Sequence, residues 1–373
     1  MSKNLEIERE LLSKPGDTIL ETLEFLKMTQ AEFAERIGKT PGKVNDLISG
    51  KAPITVNTAL QLEKVLGIDT QFWLNREANY REKLARIEQE EFLEQCIDWL
   101  KEQPLKELHE YGFLSSKKAS SELAEECLKF YGVASPIQWQ QLYINNYVGT
   151  NFRKSDKLNA HLSNMAAWLR IGELRLHKLE LPDYNKDAFK SILVDIKVLV
   201  EQQPEDFAEQ LELKCKEVGV AVIYSKSLSK APISGATRWI AGTPLIQITD
   251  RYKTNDHFWF TFYHEAGHIL LHGKKDVFIE DFDEVENDKD KEQEANDFAR
   301  DWLLPDSFLE TIEDTITDTI TDTITEGTIR KVARAYNTHP AIVLGRLQNL
   351  NRVPFHFGGN LKVKINLDYF IKH

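Results

Sequence analysis

The sequence has only three cysteines and no long apolar run. Cys96, Cys127 and Cys215 lie far apart and form no CxxC pair, which argues against a disulfide framework and against a cysteine-ligated zinc site. No apolar stretch approaches the ~18 residues that a membrane span needs. The charged N-terminus, MSKNLEIERELLSK, lacks the apolar core of a secretory signal. These absences predict a protein of the reducing cytoplasm without a membrane segment.

The sequence also has fewer basic than acidic residues, so the 373-residue chain carries a formal net charge of −12. Net charge describes the whole chain, whereas nucleic-acid binding depends on a local patch. Residues 36–51 hold four basic side chains and one acidic side chain, and much of the acid lies in residues 276–292. We interpret the acidic run as a solvated loop, with cleft cover or a dock for a basic partner as the alternatives. The acidic total therefore does not exclude DNA as a partner.

The helix and strand patterns predict a mainly α chain with a small α+β part. Residues 1–84 are expected to form a domain of five helices, most of them short, and residues 85–214 a helical connecting domain in which we identify no chemistry. Residues 215–373 form the α+β domain, since 218–224 and 245–249 show β-branched strand patterns.

One segment is of low complexity. Residues 311–329, TIEDTITDTITDTITEGTI, contain a four-residue repeat of the Thr-Ile-Thr-Asp type. Thr and Ile favour strands, while Ile at every fourth position also lines a helix, so the pattern leaves the local structure open. We interpret the segment as an expanded connecting element without a function of its own.

The motif His264-Glu265-Ala266-Gly267-His268 carries the clearest chemistry. Residues four apart share one face of a helix, so His264 and His268 can direct two imidazoles at one Zn²⁺. Glu265 lies beside the first histidine and is a candidate general base. Gly267 costs about 1 kcal/mol in a helix interior, which indicates a close backbone approach. The pattern predicts a packed helix that binds zinc.

A third ligand is needed to complete such a site. His272 lies on the same helix face, and three ligands in one row cannot surround an ion, so we expect it to pack beside the site. A second helix has an apolar stripe and can present Glu292 or Glu294. Glu292 lies nearer the stripe centre, but periodicity alone does not choose between the two. The stripe consists of Ala295, Phe298, Ala299, Trp302 and Leu303.

These two helices resemble the ImmA/IrrE family of zinc metallopeptidase domains. The resemblance rests on FTFYHEAGHILLHG followed by EQEANDFARDWLLP, and it extends over about 215–350, including ISGATRW and HPAIVLGRLQ. It implies a zincin-like fold and assigns the third ligand to Glu294, the residue directly before Ala-Asn, with Glu292 as the alternate. The chain departs from the family pattern by ending this helix in Leu-Leu-Pro without an intervening residue.

The helix pair 29–37 and 40–49 has helix-turn-helix proportions. Thr29 and Thr40 are the predicted N-caps, and Gly38 ends the first helix. In this geometry the second helix enters the major groove and reads base edges. The candidate DNA contacts are Gln30, Lys39, Thr40, Lys43, Asn45, Ser49 and Lys51.

The N-terminal region also resembles Xre-type helix-turn-helix proteins of the HigA antitoxin group. The similar stretch runs from TQAEFAERIGKTPGKVNDLISG to the ending GKAPIT…TALQLEKVLG…FWLN…Y, which distinguishes this group from generic members. One difference is Gly42, which weakens the start of the recognition helix and removes a side chain that could read a base.

Together the two resemblances imply a regulator of transcription that also carries a protease-like module. Our leading hypothesis is an antitoxin-like autorepressor, binding double-stranded operator DNA as a homodimer. Its zinc endopeptidase domain would hydrolyse a repressor, a partner or the chain itself. Tyr263 and Arg238 are candidates for stabilising an oxyanion. The alternatives are a non-catalytic sensor whose zinc domain binds a toxin or ligand, and an antitoxin that neutralises a small ribonuclease by direct contact.

Overall fold

The computed structural model describes residues 3–145, 156–229, 231, 233–251, 253–273, 278–279, 289–317 and 323–367. The chain divides into two compact units. The first unit comprises Met1–Lys101 and Lys118–Glu126, and the second comprises Glu102–Lys117 and Cys127–His373. The acidic residues 276–292 and the repeat 311–329 lie partly outside the described residues, and their predicted roles stay predictions.

The first unit contains six helices up to residue 96. They are α1 (Lys3–Glu10), α2 (Pro15–Phe25), α3 (Gln30–Ile37), α4 (Pro41–Ile48), α5 (Val56–Leu66) and α6 (Thr70–Cys96). The apolar faces of α2 to α6 close around Phe33, Leu62 and Trp73, each fully buried. The burial of these side chains holds α3 and α4 in a fixed relation, as a helix-turn-helix requires.

Local capping explains where α3 and α4 begin and end. The Thr29 hydroxyl accepts a hydrogen bond from the Glu32 amide, and Thr40 accepts one from the Lys43 amide. Gly38 ends α3 in the left-handed conformation, at φ 69°, which glycine adopts at little cost. The predicted caps and terminator are therefore confirmed.

Helix α6 is longer than the sequence pattern suggested. It runs 27 residues, from Thr70 to Cys96, and so crosses the predicted domain boundary at residue 84. Its N-terminal half packs in the core through Trp73, while Arg81 donates a hydrogen bond to the Gly50 carbonyl, 2.8 Å away, at the end of α4. This contact fixes the C-terminal end of the predicted recognition helix.

Several short helices lie between residues 99 and 145. They are a 3-10 turn (Trp99–Glu102), α7 (Leu105–Glu110), α8 (Ser121–Tyr131), α9 (Pro136–Trp139) and a π-helical turn (Gln140–Asn145). Within the second unit, the Tyr131 hydroxyl donates to Gln103 and the Tyr143 hydroxyl donates to the Tyr131 carbonyl. These buried hydrogen bonds satisfy the polar ends of an aromatic cluster.

The rest of the second unit places helices around a small sheet. Its further helices are α10 (Asp156–Leu176), α11 (Lys186–Gln202), α12 (Phe207–Glu217), α13 (Asn255–Leu271), α14 (Lys289–Leu303), α15 (Phe308–Thr317), α16 (Glu326–Ala335) and α17 (Pro340–Asn349). The strands are β1 (Ala221–Ser225), β2 (Gly235–Ile240), β3 (Thr243–Thr249) and β4 (Phe278–Ile279). The predicted mainly α chain with a small C-terminal α+β part is confirmed.

The sheet has the strand order β1-β3-β2-β4. β1 and β3 are parallel, with Ala221 opposite Leu245, whereas β2 and β3 form an antiparallel hairpin with Thr237 opposite Ile246. β4 pairs antiparallel with β2 at Ala236 and Thr237. The turn between β2 and β3 uses Ala241 and Gly242, both at positive φ, as a tight hairpin requires.

Alternate residues of the sheet pack on its two faces. Val222, Tyr224 and Ile246 join the main core with α11, α12 and α13. Ile223 and Leu245 point to the opposite face, where Leu176 of α10 packs against them. The sheet is therefore buried on both sides, and α13 lies on one of them.

The region predicted as a separate connecting domain does not form a compact unit of its own. Helices α10, α11 and α12 belong to the second unit, in which α10 covers one face of the sheet and α11 and α12 contribute to the other core. The physical reason is that both sheet faces are apolar and need cover. None of the described helices is long and apolar enough to cross a membrane.

Candidate metal centre and recognition helix

Helices α13 and α14 lie against each other at very close range. Gly267 makes this possible, because a Cβ built there would lie 3.3 Å from the Ala295 Cα and 3.2 Å from the Phe298 ring. Tyr263 stacks on Trp302 at 6.0 Å near one end of the pair. The close approach predicted from Gly267 is confirmed. It brings side chains of the two helices within hydrogen-bonding distance of each other.

His264, His268 and Glu292 converge at this contact. The Nε2 atoms of the two histidines are 2.9 Å apart. The Glu292 carboxylate reaches both rings, with 3.1 Å from Oε2 to His264 Nε2 and 3.4 Å from Oε1 to His268 Nε2. Among the described residues, these three offer ligand atoms that all lie within 4.8 Å of one another.

The donor set fits a zinc ion. Two imidazole nitrogens and one carboxylate are a common ligand set of catalytic zinc, which leaves a fourth position open. Burial lowers the pKa of His268 to about 4, although its hydrogen bond to Glu292 acts in the other direction. Burial alone would raise the pKa of Glu292, but the hydrogen bonds from both histidines outweigh it and lower its pKa. At neutral pH, His268 is therefore neutral and Glu292 ionised, as metal ligands must be.

Glu294, the predicted third ligand, lies outside the cluster of ligand atoms that the structure brings together. Glu294 does not reach the histidine pair; its Oε2 lies 3.1 Å from His272 Nε2, and its side chain is 63% exposed. Two helical residues that are two apart point about 200° away from each other, so Glu292 and Glu294 cannot face the same ion. Glu292, the alternate, is the carboxylate that lies beside both histidines.

Two further residues hold the histidine rings. The Asn296 Oδ1 lies 3.0 Å from His264 Nδ1, and the His272 Nδ1 lies 3.0 Å from His268 Nδ1. The Phe260 ring is stacked near His264, with 6.2 Å between centroids. The sequence analysis missed Asn296 and Phe260. Asn296 follows Glu292 by four residues and so shares its helix face, which was the available signal.

Glu265 is buried where β2 passes α13. A Cβ built on Gly235 would lie 2.6 Å from the Glu265 Oε1, so the strand comes this close only because residue 235 is glycine. The Thr237 hydroxyl donates a hydrogen bond of 3.0 Å to the Glu265 carbonyl. β2 therefore restrains both the carboxylate and the backbone of Glu265.

Tyr263 and Arg238, predicted as candidates for an oxyanion contact, are engaged elsewhere. The Tyr263 hydroxyl donates to the Leu193 carbonyl of α11 at 2.9 Å. The Arg238 guanidinium donates to the Leu169 carbonyl of α10 at 2.7 Å, on the sheet face away from α13. Successive side chains of a strand point to opposite faces of the sheet. Because Thr237 faces α13, its neighbour Arg238 faces α10.

The predicted DNA-contacting residues belong to α3, to α4 and to the residues that flank α4. Gln30, Thr40, Lys43, Asn45 and Lys51 are exposed, while Lys39 and Ser49 are half-buried. The Ser49 hydroxyl donates to the Asp46 carbonyl, which turns it toward its own helix. The exposed set leaves one cation and one amide, Lys43 and Asn45, on the outer face of α4.

The sequence analysis missed one residue that seats the recognition helix. A Cβ on Gly16 would lie 1.9 Å from the Ile48 carbonyl oxygen. α2 and the end of α4 are therefore in direct backbone contact, and this contact admits no larger residue. Its signal in the sequence is a glycine inside a helix, where it costs free energy relative to alanine.

Two family models match the chain. Residues 23–73 match the helix-turn-helix family, and residues 215–348 match the IrrE N-terminal-like domain of the M78 peptidase family. The first range spans α3 to the start of α6, and the second contains β1 to α17 with the histidine pair, Glu265 and Glu292.

Similar proteins include two curated relatives and one solved structure. An HTH-type transcriptional regulator of Escherichia coli (strain K12), YddM, is 39% identical over 62 residues, covering 17% of this chain and 66% of that protein. Virulence-associated protein I of Dichelobacter nodosus is 32% identical over 74 residues, covering 19% of this chain and 67% of that protein. An addiction module antidote protein of the HigA family from Coxiella burnetii is 35% identical, covering 20% of this chain and 82% of that structure, with a TM-score of 0.19.

The chain thus spans about two thirds of the length of the curated relatives it matches. Most of the chain lies outside these two matches. The M78 peptidase family model covers the part that contains the candidate metal centre. The chain belongs to the Xre-type helix-turn-helix regulators through its N-terminal domain, and it carries in addition a C-terminal domain of the M78 peptidase family.

Proposed function

We propose that this chain is a DNA-binding transcriptional regulator, an antitoxin-like autorepressor, with a zinc-dependent endopeptidase domain. The observation that carries the peptidase half is the convergence of His264, His268 and Glu292 beside the buried Glu265. An ordinary core helix has no need for two buried imidazoles and a buried carboxylate, because each such group costs free energy to bury.

His264, His268 and Glu292 would hold the zinc ion. When bound, zinc supplies Lewis-acid activation of water and of the scissile carbonyl. Glu265 takes the proton from the attacking water and passes it to the leaving amine, as its place next to His264 allows. Gly235 and Thr237 keep the Glu265 carboxylate and backbone in place for this transfer. Asn296 keeps the His264 ring oriented.

We predict that Glu265→Gln abolishes peptide cleavage and leaves zinc content and DNA binding unchanged. The amide has the same shape but cannot take a proton, so the rate of cleavage falls at least about 100-fold. The measurement is cleavage of a mixed library of quenched fluorogenic peptides by the zinc-loaded full chain. Glu310→Gln, an exposed position on α15, is the matched control.

Equal cleavage by the wild type and by Glu265→Gln would contradict the assigned general base. Zinc-loaded wild type that cleaves no peptide and none of its own chain would instead support the alternative. In that case the zinc domain is a non-catalytic sensor that binds a toxin or ligand and modulates DNA binding.

The regulatory half of the proposal rests on the exposed face of α4. Lys43 and Asn45 would read base edges in the major groove, while Lys39 and Lys51 would contact phosphates. Gln30 and Thr40 would bind the backbone at the start of their helices. The helix-turn-helix match and the name of the regulator YddM support operator DNA as the partner.

The antitoxin part of the proposal comes from the name of the Coxiella burnetii protein and from the sequence resemblance. A homodimer on a palindromic operator is the arrangement expected for a helix-turn-helix regulator, and operator binding would place the chain in the cytoplasm. A cognate toxin or repressor is the proposed substrate or partner of the peptidase domain.

We predict that Lys43→Ala combined with Asn45→Ala weakens operator binding at least about 30-fold, since each base contact contributes about 1–3 kcal/mol. The test uses a duplex selected by the wild-type chain from a random-sequence pool. Asn57→Ala with Lys64→Ala removes the same residue types from exposed positions of α5 and is the control. Unchanged specific binding by the α4 variant would show that another helix reads the DNA.

A further inference from the structure

We propose that Glu294 and His272 form a relay that positions the His268 ring for metal binding. This inference rests on the zinc site proposed above and assigns a role to two residues that do not themselves bind the ion. Glu294 is then a positioning residue, acting through His272.

The order of hydrogen bonds follows from the donors and acceptors. The Glu294 carboxylate only accepts, so His272 Nε2, 3.1 Å away, carries the proton and donates it. A neutral imidazole with a proton on Nε2 has a free lone pair on Nδ1. That Nδ1 lies 3.0 Å from the His268 Nδ1, so it accepts the His268 Nδ1 proton.

The result is one defined tautomer of His268. Zinc binding would displace the hydrogen bond between His268 Nε2 and Glu292, and a ring whose proton is held on Nδ1 would then present its Nε2 lone pair where the ligand atoms converge. His264 reaches the same state through Asn296, whose side-chain oxygen accepts from Nδ1. Both metal-binding rings are thus oriented by an acceptor on their far side, which also raises ligand basicity.

Burial makes the contact between His268 and His272 more important than the contact between His272 and Glu294. The side chains of His268 and His272 are 0% and 3% exposed, whereas Glu294 is 63% exposed. Water cannot readily replace His272 as the acceptor for His268, but it partly replaces the Glu294 carboxylate. His272 therefore matters more than Glu294, and each depends on the other.

The position of His272 makes the relay geometrically specific. α13 ends at Leu271, so His272 is the residue directly after the helix and lies one turn beyond His268. α14 runs in the opposite direction, which brings its early residue Glu294 to this end and places Trp302 beside Tyr263 at the other. Glu292 faces the ligand cluster and Glu294 faces His272 because they point about 200° apart.

The test measures the zinc affinity of the full chain by competition with a chromophoric chelator. We expect Glu294→Ala to weaken the affinity about 10-fold and His272→Phe to weaken it by at least as much. Gln293→Ala, an exposed neighbour on the same helix, controls for the change to alanine and should have no effect. Glu294→Gln keeps an acceptor oxygen and should recover most of the loss.

Two readouts separate a relay from a merely structural contact. In the His272→Phe background, Glu294→Ala should cause no further loss, because the second residue acts only through the first. In the zinc-loaded wild type, the His268 Nδ1 proton should exchange slowly with solvent by NMR, and Glu294→Ala should speed up that exchange. An additive loss in the double variant, or a Glu294→Ala affinity equal to that of Gln293→Ala, would overturn the relay. Wild type without zinc would overturn the metal site itself.

Discussion

Glu292→Ala is expected to lose zinc, whereas Glu294→Ala is expected to retain near-stoichiometric zinc at the concentrations used for metal analysis. Protein zinc sites bind with about 10–16 kcal/mol, so one of three protein ligands contributes roughly 3–5 kcal/mol. At 1.4 kcal/mol for each tenfold change, this corresponds to a loss of affinity of about 1,000-fold. The relay residue Glu294 acts only through His272, and its removal changes affinity far less.

The measurement is metal content by mass spectrometry on the purified wild type, Glu292→Ala and Glu294→Ala after metal-replete expression. The helical content of each variant is checked by circular dichroism. Glu292→Ala is expected to keep the fold, because the Glu292 side chain is 33% exposed and alanine favours a helix. Zinc lost from Glu294→Ala but retained by Glu292→Ala would make Glu294 the third ligand instead of Glu292. Zinc absent from the wild type would remove the peptidase half of the proposal and leave the helix-turn-helix as the functional core.

The choice between these two glutamates shows what a sequence pattern can decide. The apolar stripe through Ala295 and Ala299 fixes which face of α14 meets α13, and Glu292 lies nearer the centre of that stripe than Glu294. The wheel left the choice open, because it could not show where along α13 each residue would lie. The family motif drew attention to Glu294, and the structure places that residue beside the metal ligands without making it one.

Helix ends were predictable where a local signal exists. Thr29, Gly38 and Thr40 act on atoms within a few residues of themselves, so their roles are visible in the sequence. Residues 70–96 contain neither glycine nor proline, and α6 continues through all of them. No glycine or proline lies at the expected domain boundary at residue 84, and the helix continues through that boundary.

Contacts between distant segments were not predictable. Gly235 approaches Glu265 across the sheet and helix layers, and Gln247 donates to the Trp168 carbonyl, 79 residues earlier in the chain. No periodicity within either segment specifies such a partner. This is why Glu265 could be singled out from its motif, while its restraint by β2 and the packing of α10 on the sheet appear only in the fold.

The role of α10 to α12 leads to the second large prediction. A fragment that begins at residue 215, where the peptidase-family match begins, is expected not to fold. It would start inside α12 and lack α10 and α11 completely. A fragment of residues 102–373, which includes the whole second unit, is expected to fold and to bind zinc.

The size of the effect follows from the missing core. Six large buried side chains would be absent from the shorter fragment, and burying each contributes about 1.5–3 kcal/mol. They are Phe189, Leu193, Ile196, Leu199, Phe207 and Leu211. The total, roughly 9–18 kcal/mol, equals or exceeds the whole stability of a typical domain. The apolar sheet face at Ile223 and Leu245 would also be exposed to water once Leu176 is gone.

Thermal unfolding followed by circular dichroism, together with zinc content, distinguishes the two fragments 215–373 and 102–373. The longer one should show a single cooperative transition, and the shorter one should aggregate or show none. A cooperative, zinc-binding 215–373 fragment would show that α10 to α12 are an accessory layer after all. The buried hydrogen bonds from Arg238 to the Leu169 carbonyl and from Gln247 to the Trp168 carbonyl argue against that result, because they tie α10 to the centre of the sheet that supports Glu265.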